Sequence, residues 1–208
     1  MSDRRRRTDR KGGRTGSDAE RGAILVELAI VAPLVIVLVL GIFEITVAWS
    51  QDQTVVQAAR SGARAVTQTG QDERADQVAL RSVKATFDDR WTEVQRVVVY
   101  EATSADGSPP TACISSGVTV SPGGVNCNVY VSADLADVLD ESRFTDGPNC
   151  GSGKSSNWCP SVRDRGLNTA DWVGVWVEYD QPWLTGLFPI GGYTITERTV
   201  MRMEPRSG

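Results

Sequence analysis

Apolar positions fall into two regimes along the chain, and each predicts a different kind of element. From Ala23 to Phe43 the sequence reads AILVELAIVAPLVIVLVLGIF, 21 residues with Glu27 as their one ionisable side chain. A run with no polar face predicts a helix that is apolar all round. At about 1.5 Å per residue it is roughly 31 Å long, which matches a hydrocarbon core of about 30 Å. Residues 23–46 are therefore expected to span a membrane. A secretory signal peptide is the alternative. Its apolar region is usually only about 7 to 15 residues, and the small residues available for cleavage here, Thr46 and Ala48, sit beside bulky Val47 and Trp49.

Beyond the span the pattern becomes periodic. Gln51 to Val66 holds no Pro and one Gly, with Val55, Val56, Ala59, Ala63 and Val66 on one helical face. Ala59, Gly62 and Ala63 make that face smooth, fit either for the protein's own sheet or for a partner helix, and the sequence leaves both open. Arg60 and Arg64, four residues apart, read as a solvated basic edge. Thr69, Gly70 and Gln71 break this helix. Asp72 opens a second one, with Ala75, Val78, Ala79, Val83 and Phe87 at helical spacing to about Trp91. Strands are expected at Val94–Ala102, Gly117–Val120, Asn128–Ser132, Trp172–Tyr179 and Tyr193–Met203, and a short helix at Ser132–Arg143 with Leu135, Val138 and Leu139 turned inward. The predicted class is α+β: a long N-terminal transmembrane helix extended outside the membrane, a second helix, and a small antiparallel sheet with disulfide-bonded loops. The expected organisation is a basic segment 1–22, a span 23–46, helices over 47–92 and a β-rich head over 93–208.

Charge adds a direction to this layout. Eight of the 22 Lys and Arg residues lie within the first 22 positions, against four acids there, so a head of net +4 precedes a body of net −8. Basic flanks stay in the cytoplasm, which places residues 1–22 inside and the chain beyond about Glu44 outside, with Trp49 as an aromatic anchor at the outer interface. A basic arm ahead of a membrane helix also suits anionic lipid or nucleic acid, but Asp3, Asp9, Asp18 and Glu20 dilute it and no aromatic interleaves with the arginines. A topogenic tail is the expected role, with membrane lipid and no nucleic acid as partners. Histidine is absent from the whole chain, which removes Ser-His-Asp and Cys-His arrangements and the usual neutral-pH general base. We expect no enzyme and no cofactor.

The middle of the chain, residues 104–160, is rich in Ser, Gly, Pro and Asn and holds all four cysteines. In an extracytoplasmic domain Cys113, Cys127, Cys150 and Cys159 read as disulfides. Pairs Cys113–Cys127 and Cys150–Cys159 are favoured because each closes a short loop. Zinc is the alternative, against which stand the missing histidines and the missing C-x₂-C spacing. Gly151-Ser152-Gly153-Lys154-Ser155 imitates a phosphate loop, but Pro148 stands where the motif needs its first Gly. Asp134, Asp137, Asp140 and Glu141 read as a solvated acidic face, without the loop spacing that calcium needs.

Glu27 remains to be explained. A carboxylate inside an apolar helix costs about 2.5 to 3.5 kcal/mol at the centre of a span and less near an interface. One account is that it reaches the cytoplasmic headgroups beside Arg21. The other is that its partner comes from a neighbour or from processing: a cut after Gly22 would make Ala23 the new N-terminus and Glu27 the fifth residue. This resembles the type IV pilin and pseudopilin signature of a basic leader ending in Gly, an apolar N-terminus and a glutamate at the fifth place. In more detail, GAILVELAIVAPLVIVLVLGIFEITV followed by VVQAARSGARAV resembles the TadE-like family of pilus-assembly pseudopilins. The matching positions are Glu27, Pro33, Gly41, Glu44, Ala59, Arg60, Gly62, Ala63 and Arg64. The closing stretch from Trp172 through the Tyr193 to Met203 strand is similar to the C-terminal part of the same family. That resemblance implies a pilin-like fold, a prepilin peptidase that cuts between Gly22 and Ala23, and assembly with other pilins or pseudopilins through Glu27. Its rival is a single-pass, signal-anchored envelope protein whose head binds a ligand or wall component, with Glu27 incidental.

Overall fold

The computed structural model describes residues 15–141, 144, 157–185 and 191–205, and side chains from Arg21 onward. The chain divides into two compact units, residues 1–45 and 46–208. One helix, α1 (Thr15–Thr69), enters both and runs through Pro33 without interruption. In the second unit follow α2 (Ala75–Phe87), a 3₁₀ segment (Asp88–Glu93), β1 (Val94–Ala102), α3 (Thr111–Ile114), β2 (Cys127–Val131), α4 (Ser132–Ala136), β3 (Trp172–Pro182) and β4 (Gly192–Arg202). The four strands form one antiparallel sheet in the order β2-β1-β3-β4. This is the α+β, pilin-like layout.

Side chains alternate across the sheet, and each of its faces carries a core. On one face Val97 and Val99 of β1 and Val173, Val175, Val177 and Tyr179 of β3 join Val55, Ala59, Ala63 and Val66 of α1 and Ala79, Leu80, Val83 and Phe87 of α2 in the larger core. Phe87 stacks on Tyr179 with ring centroids 5.0 Å apart. On the other face Val98, Tyr100, Val129 and Trp176 lie with Cys113 and Cys127 in a second core. The loop that follows β1 is fixed over this face by the Cys113–Cys127 disulfide. Tyr100 sits directly opposite Gly174, and its hydroxyl donates to the Gly107 carbonyl at 2.9 Å. A Cβ on Gly174 would come 2.1 Å from the Tyr100 ring, so only glycine leaves room for that ring.

Three expected elements are absent or shorter. Gly117–Val120 is not a strand, because its neighbourhood is spent on a side chain. Arg96 Nη1 takes the carbonyls of Ser115 at 2.7 Å and Val118 at 3.3 Å, Nη2 takes that of Ile114 at 3.2 Å, and Nε meets Glu178 at 2.5 Å. The helix expected at Ser132–Arg143 stops at Ala136. The carbonyls that would continue it bind α2 instead: Leu135 accepts from Lys84, and Val138 accepts from Gln77 and Arg81. Leu139 consequently points outward, 74% exposed. The second helix starts at Ala75 rather than Asp72, since the Asp72 carboxylate accepts the Arg74 amide in a turn. It ends at Phe87, where Asp88 takes a left-handed φ of 51° that interrupts the helix before Trp91. Cys150, the Gly151–Ser155 stretch and Arg143 lie outside the described residues; Cys159 is disulfide-bonded.

Candidate functional site

The first unit has an unusual surface for a folded segment. Apart from Leu40, the large apolar side chains from Ile24 to Ile45 are 46–67% exposed, and none of the most apolar stretch is buried within the chain. Among the described residues, one helix is long and apolar enough to cross a membrane. Glu27 is exposed on it, with no ion pair among the described residues. Pro33 is also exposed, while Glu44 is buried, 3% exposed. Trp49, 70% exposed, presents a large aromatic just beyond the apolar run. Gly22 and Gly41 have open space where a Cβ would stand, so nothing within the chain requires glycine there.

The second unit uses its share of α1 quite differently. Ala59 and Ala63 are fully buried in the core under the sheet. A Cβ on Gly62 would stand 2.9 Å from Val83 Cγ2 and 3.2 Å from Val175 Cγ1. The small residues thus serve close approach of α2 and β3 to α1 inside one chain. Arg60 and Arg64 lie on the opposite, exposed side of the same turns.

A buried polar network that sequence reasoning missed holds the head together. Asp76, in the first turn of α2 where the helix dipole favours an anion, receives Arg163 Nη2 at 2.6 Å, Asn128 Nδ2 at 2.6 Å and the Tyr130 hydroxyl at 2.8 Å. Asn128 also exchanges both of its amide bonds with the Trp158 backbone, at 2.8 and 2.9 Å. Arg163, 0% exposed, lies over the Trp158 ring at 4.4 Å. Burial first, and then the Asp76 charge, push the Tyr130 phenol well above its ordinary value of 10.0. Burial pushes Tyr100 up to about 12. The network joins α2, β2 and the segment after Cys159. Asp76, Asn128, Tyr130 and Arg163 are all buried and bound to one another across these elements, the arrangement of a structural clamp.

An apolar N-terminal helix exposed along its length, continuing into the core helix of a small disulfide-bonded α+β head, defines a pilin-like protein with a membrane-anchoring segment. The particular relationship is given by family comparison: residues 22–64 match the model of the TadE-like protein family. No curated protein and no solved structure matches the chain. The match ends at Arg64, so it takes in the whole exposed segment and the small-residue turns Ala59–Ala63, and leaves the sheet outside.

Proposed function

We propose that this protein is a pseudopilin or minor pilin of a tight-adherence type pilus or a related secretion machine. In this reading residues 1–22 are a cytoplasmic leader, a prepilin peptidase cuts between Gly22 and Ala23, and residues 23–46 hold the product in the cytoplasmic membrane with the head outside. The chain then enters a filament through its N-terminal helix, where it meets other pilins or pseudopilins and acts as a structural part rather than a catalyst.

The observation that carries this reading is the division of the family-matching segment into two halves. Ala59, Gly62 and Ala63 have a sufficient reason inside the chain, because α2 and β3 press against them. Gly22, Glu27 and Pro33 have none, being exposed or without neighbours. Residue types that the subunit does not use point to a use outside it. Cleavage after Gly22 supplies one: four residues of helix separate the new Ala23 amine from Glu27 by about 6 Å along the axis. A carboxylate in an apolar setting is tolerated when an opposite charge meets it, and the amine of a neighbouring subunit is of the right sign. Glu44, at the far end of the apolar run, is buried within the chain and is not part of this exposed surface.

The test is the intact mass and N-terminal sequence of the protein taken from its native membrane. A chain beginning at Ala23 supports the reading, and Gly22→Val should then retain the leader. A chain that keeps residues 1–22 in the assembled organelle refutes it and leaves a static, signal-anchored envelope protein. Glu27→Ala should insert into the membrane normally and enter filaments poorly; unchanged incorporation would remove Glu27 from assembly.

A further inference from the structure

Between the outer half of α1, α2 and the edge strand β4 runs a groove of about 500 Å³, lined by Gln57, Arg60, Arg64 and Gln68 of α1, Ser82 of α2 and Met201 of β4. Among the described arginines of the head, these two share with Arg90, which follows Asp88 and Asp89, the lack of an ion pair or side-chain hydrogen bond. Arg74 and Arg81 pair with Glu141, Arg96 with Glu178 and Arg163 with Asp76, and Arg165 and Arg202 donate to backbone carbonyls. Arg60 and Arg64 are exposed and form no ion pair or side-chain hydrogen bond among the described residues. The acidic counterparts are Asp88 and Asp89, also exposed and equally without partners among the described residues.

These two patches lie at nearly the same height along α1. Helix α2 runs back antiparallel to α1. Ser61 meets Thr86 at 3.2 Å and the Ser82 carbonyl at 3.4 Å, and Gly62 faces Val83 and Ala79. Continuing that register sets Asp88 beside about residue 57, some 5 Å along the axis from Arg60 at about 1.5 Å per residue. An arginine side chain spans that difference. Patches at one height on this helix pair can meet when two parallel copies stand side by side.

We propose that this groove docks the Asp88–Asp89 corner of a second copy of the chain, which rests on the membrane-anchored assembly reading given above. The contact joins two different surfaces, so each copy that offers a groove still offers a corner, and the contact repeats from copy to copy instead of closing on itself. On a body with an acidic excess, opposite charges at one height set the register and resist other alignments.

The test uses full-length protein, labelled at its C-terminus with donor or acceptor dye, in phosphatidylcholine vesicles. Energy transfer between wild-type copies is expected to fall toward the level set by the apolar helices near 1 M salt, where the screening length is about 3 Å. Arg60→Glu with Arg64→Glu should weaken self-association about tenfold, the size expected of two exposed pairs. Asp88→Asn with Asp89→Lys should do the same. Mixing the two variants should restore transfer, because the acidic groove of one now fits the basic corner of the other. Unchanged transfer in either variant, or a mixture no better than its parts, overturns the proposal. Loss with the groove variant alone also overturns it, and assigns the groove to a different acidic patch of the neighbouring copy. Flotation of the vesicles separates the two readings: a chain that does not float refutes membrane anchoring, whereas one that floats with charge-insensitive transfer refutes only this contact.

Discussion

Gly62 is where the fold of this chain can be tested most sharply. Replacing it with alanine has two opposed effects. Within a helix, alanine is favoured over glycine by about 1 kcal/mol. Here, however, the new methyl would stand 2.9 Å from Val83 Cγ2 and 3.2 Å from Val175 Cγ1. Both neighbours are β-branched and fully buried, one in α2 and one in the central strand β3, so neither can swing clear. Overpacking of this kind costs about 1 to 3 kcal/mol, and the net effect of Gly62→Ala is a loss of about 0 to 2 kcal/mol. Because that range includes zero, the decisive quantity is coupling. Val83→Ala alone opens a hole and destabilises, but in Gly62→Ala/Val83→Ala the new methyl enters the space Val83 leaves. The double variant should therefore be more stable than the sum of the singles by about 0.5 to 3 kcal/mol. Urea unfolding of the full chain in detergent, followed by tryptophan fluorescence, measures all four corners of the cycle. Additivity within about 0.5 kcal/mol would refute the claim that Gly62 is small because α2 presses on it.

Two further outcomes follow from the polar network. Arg163→Met leaves the Asp76 charge buried without its cation and should cost about 3 to 5 kcal/mol, much of it recovered in Asp76→Leu/Arg163→Met; equal losses in the single and double variants would show that the pair is not the clamp. Tyr130, whose phenol proton is held more tightly in the folded state, contributes stability that is complete below about pH 10 and is lost as the pH rises from there toward its folded value. The loss is about 1.4 kcal/mol per pH unit, so Tyr130→Phe should be less stable near neutrality yet flatter above pH 10, and an unchanged alkaline slope would refute the assignment.

The contrast between these residues and the ones legible in sequence is one of range. Strand β1 was readable to the residue, Val94–Ala102, because its β-branched run states itself locally. The apolar helix was readable because no other element tolerates 21 such residues in a row. The Cys113–Cys127 bond, present in the fold, was marked by its short loop. Asp76 and Arg163 stand 87 positions apart. Each looked ordinary where it stood, one as an acid opening a helix and the other as a base in a loop, and only the closed fold makes them partners. The shortened α4 has the same cause. Its apolar spacing fits a longer helix, but Lys84, Arg81 and Gln77, distant in sequence, capture the carbonyls on which continuation depends.

What the head leaves open then limits where it can act. Helices close one face of the sheet, and the disulfide-pinned loop covers β1, β2 and Trp176 on the other, where Thr194, Thr196 and Arg198 of β4 stay exposed. One edge belongs to β2, only five residues long, and the other to β4, which runs for eleven. A long edge strand invites pairing with a foreign strand unless charge discourages it. At the middle of β4 stand Glu197 and Arg198. Antiparallel pairing of two β4 edges centred on either residue would set Glu against Glu or Arg against Arg on one face of the joined sheet, which destabilises cross-strand pairs. Centred self-pairing through the edge is thus opposed by the same sequence that leaves Arg60 and Arg64 without partners. In the proposed assembly, contact between heads is thereby directed away from this edge and toward the outer surface of α1, whose N-terminal apolar half is exposed.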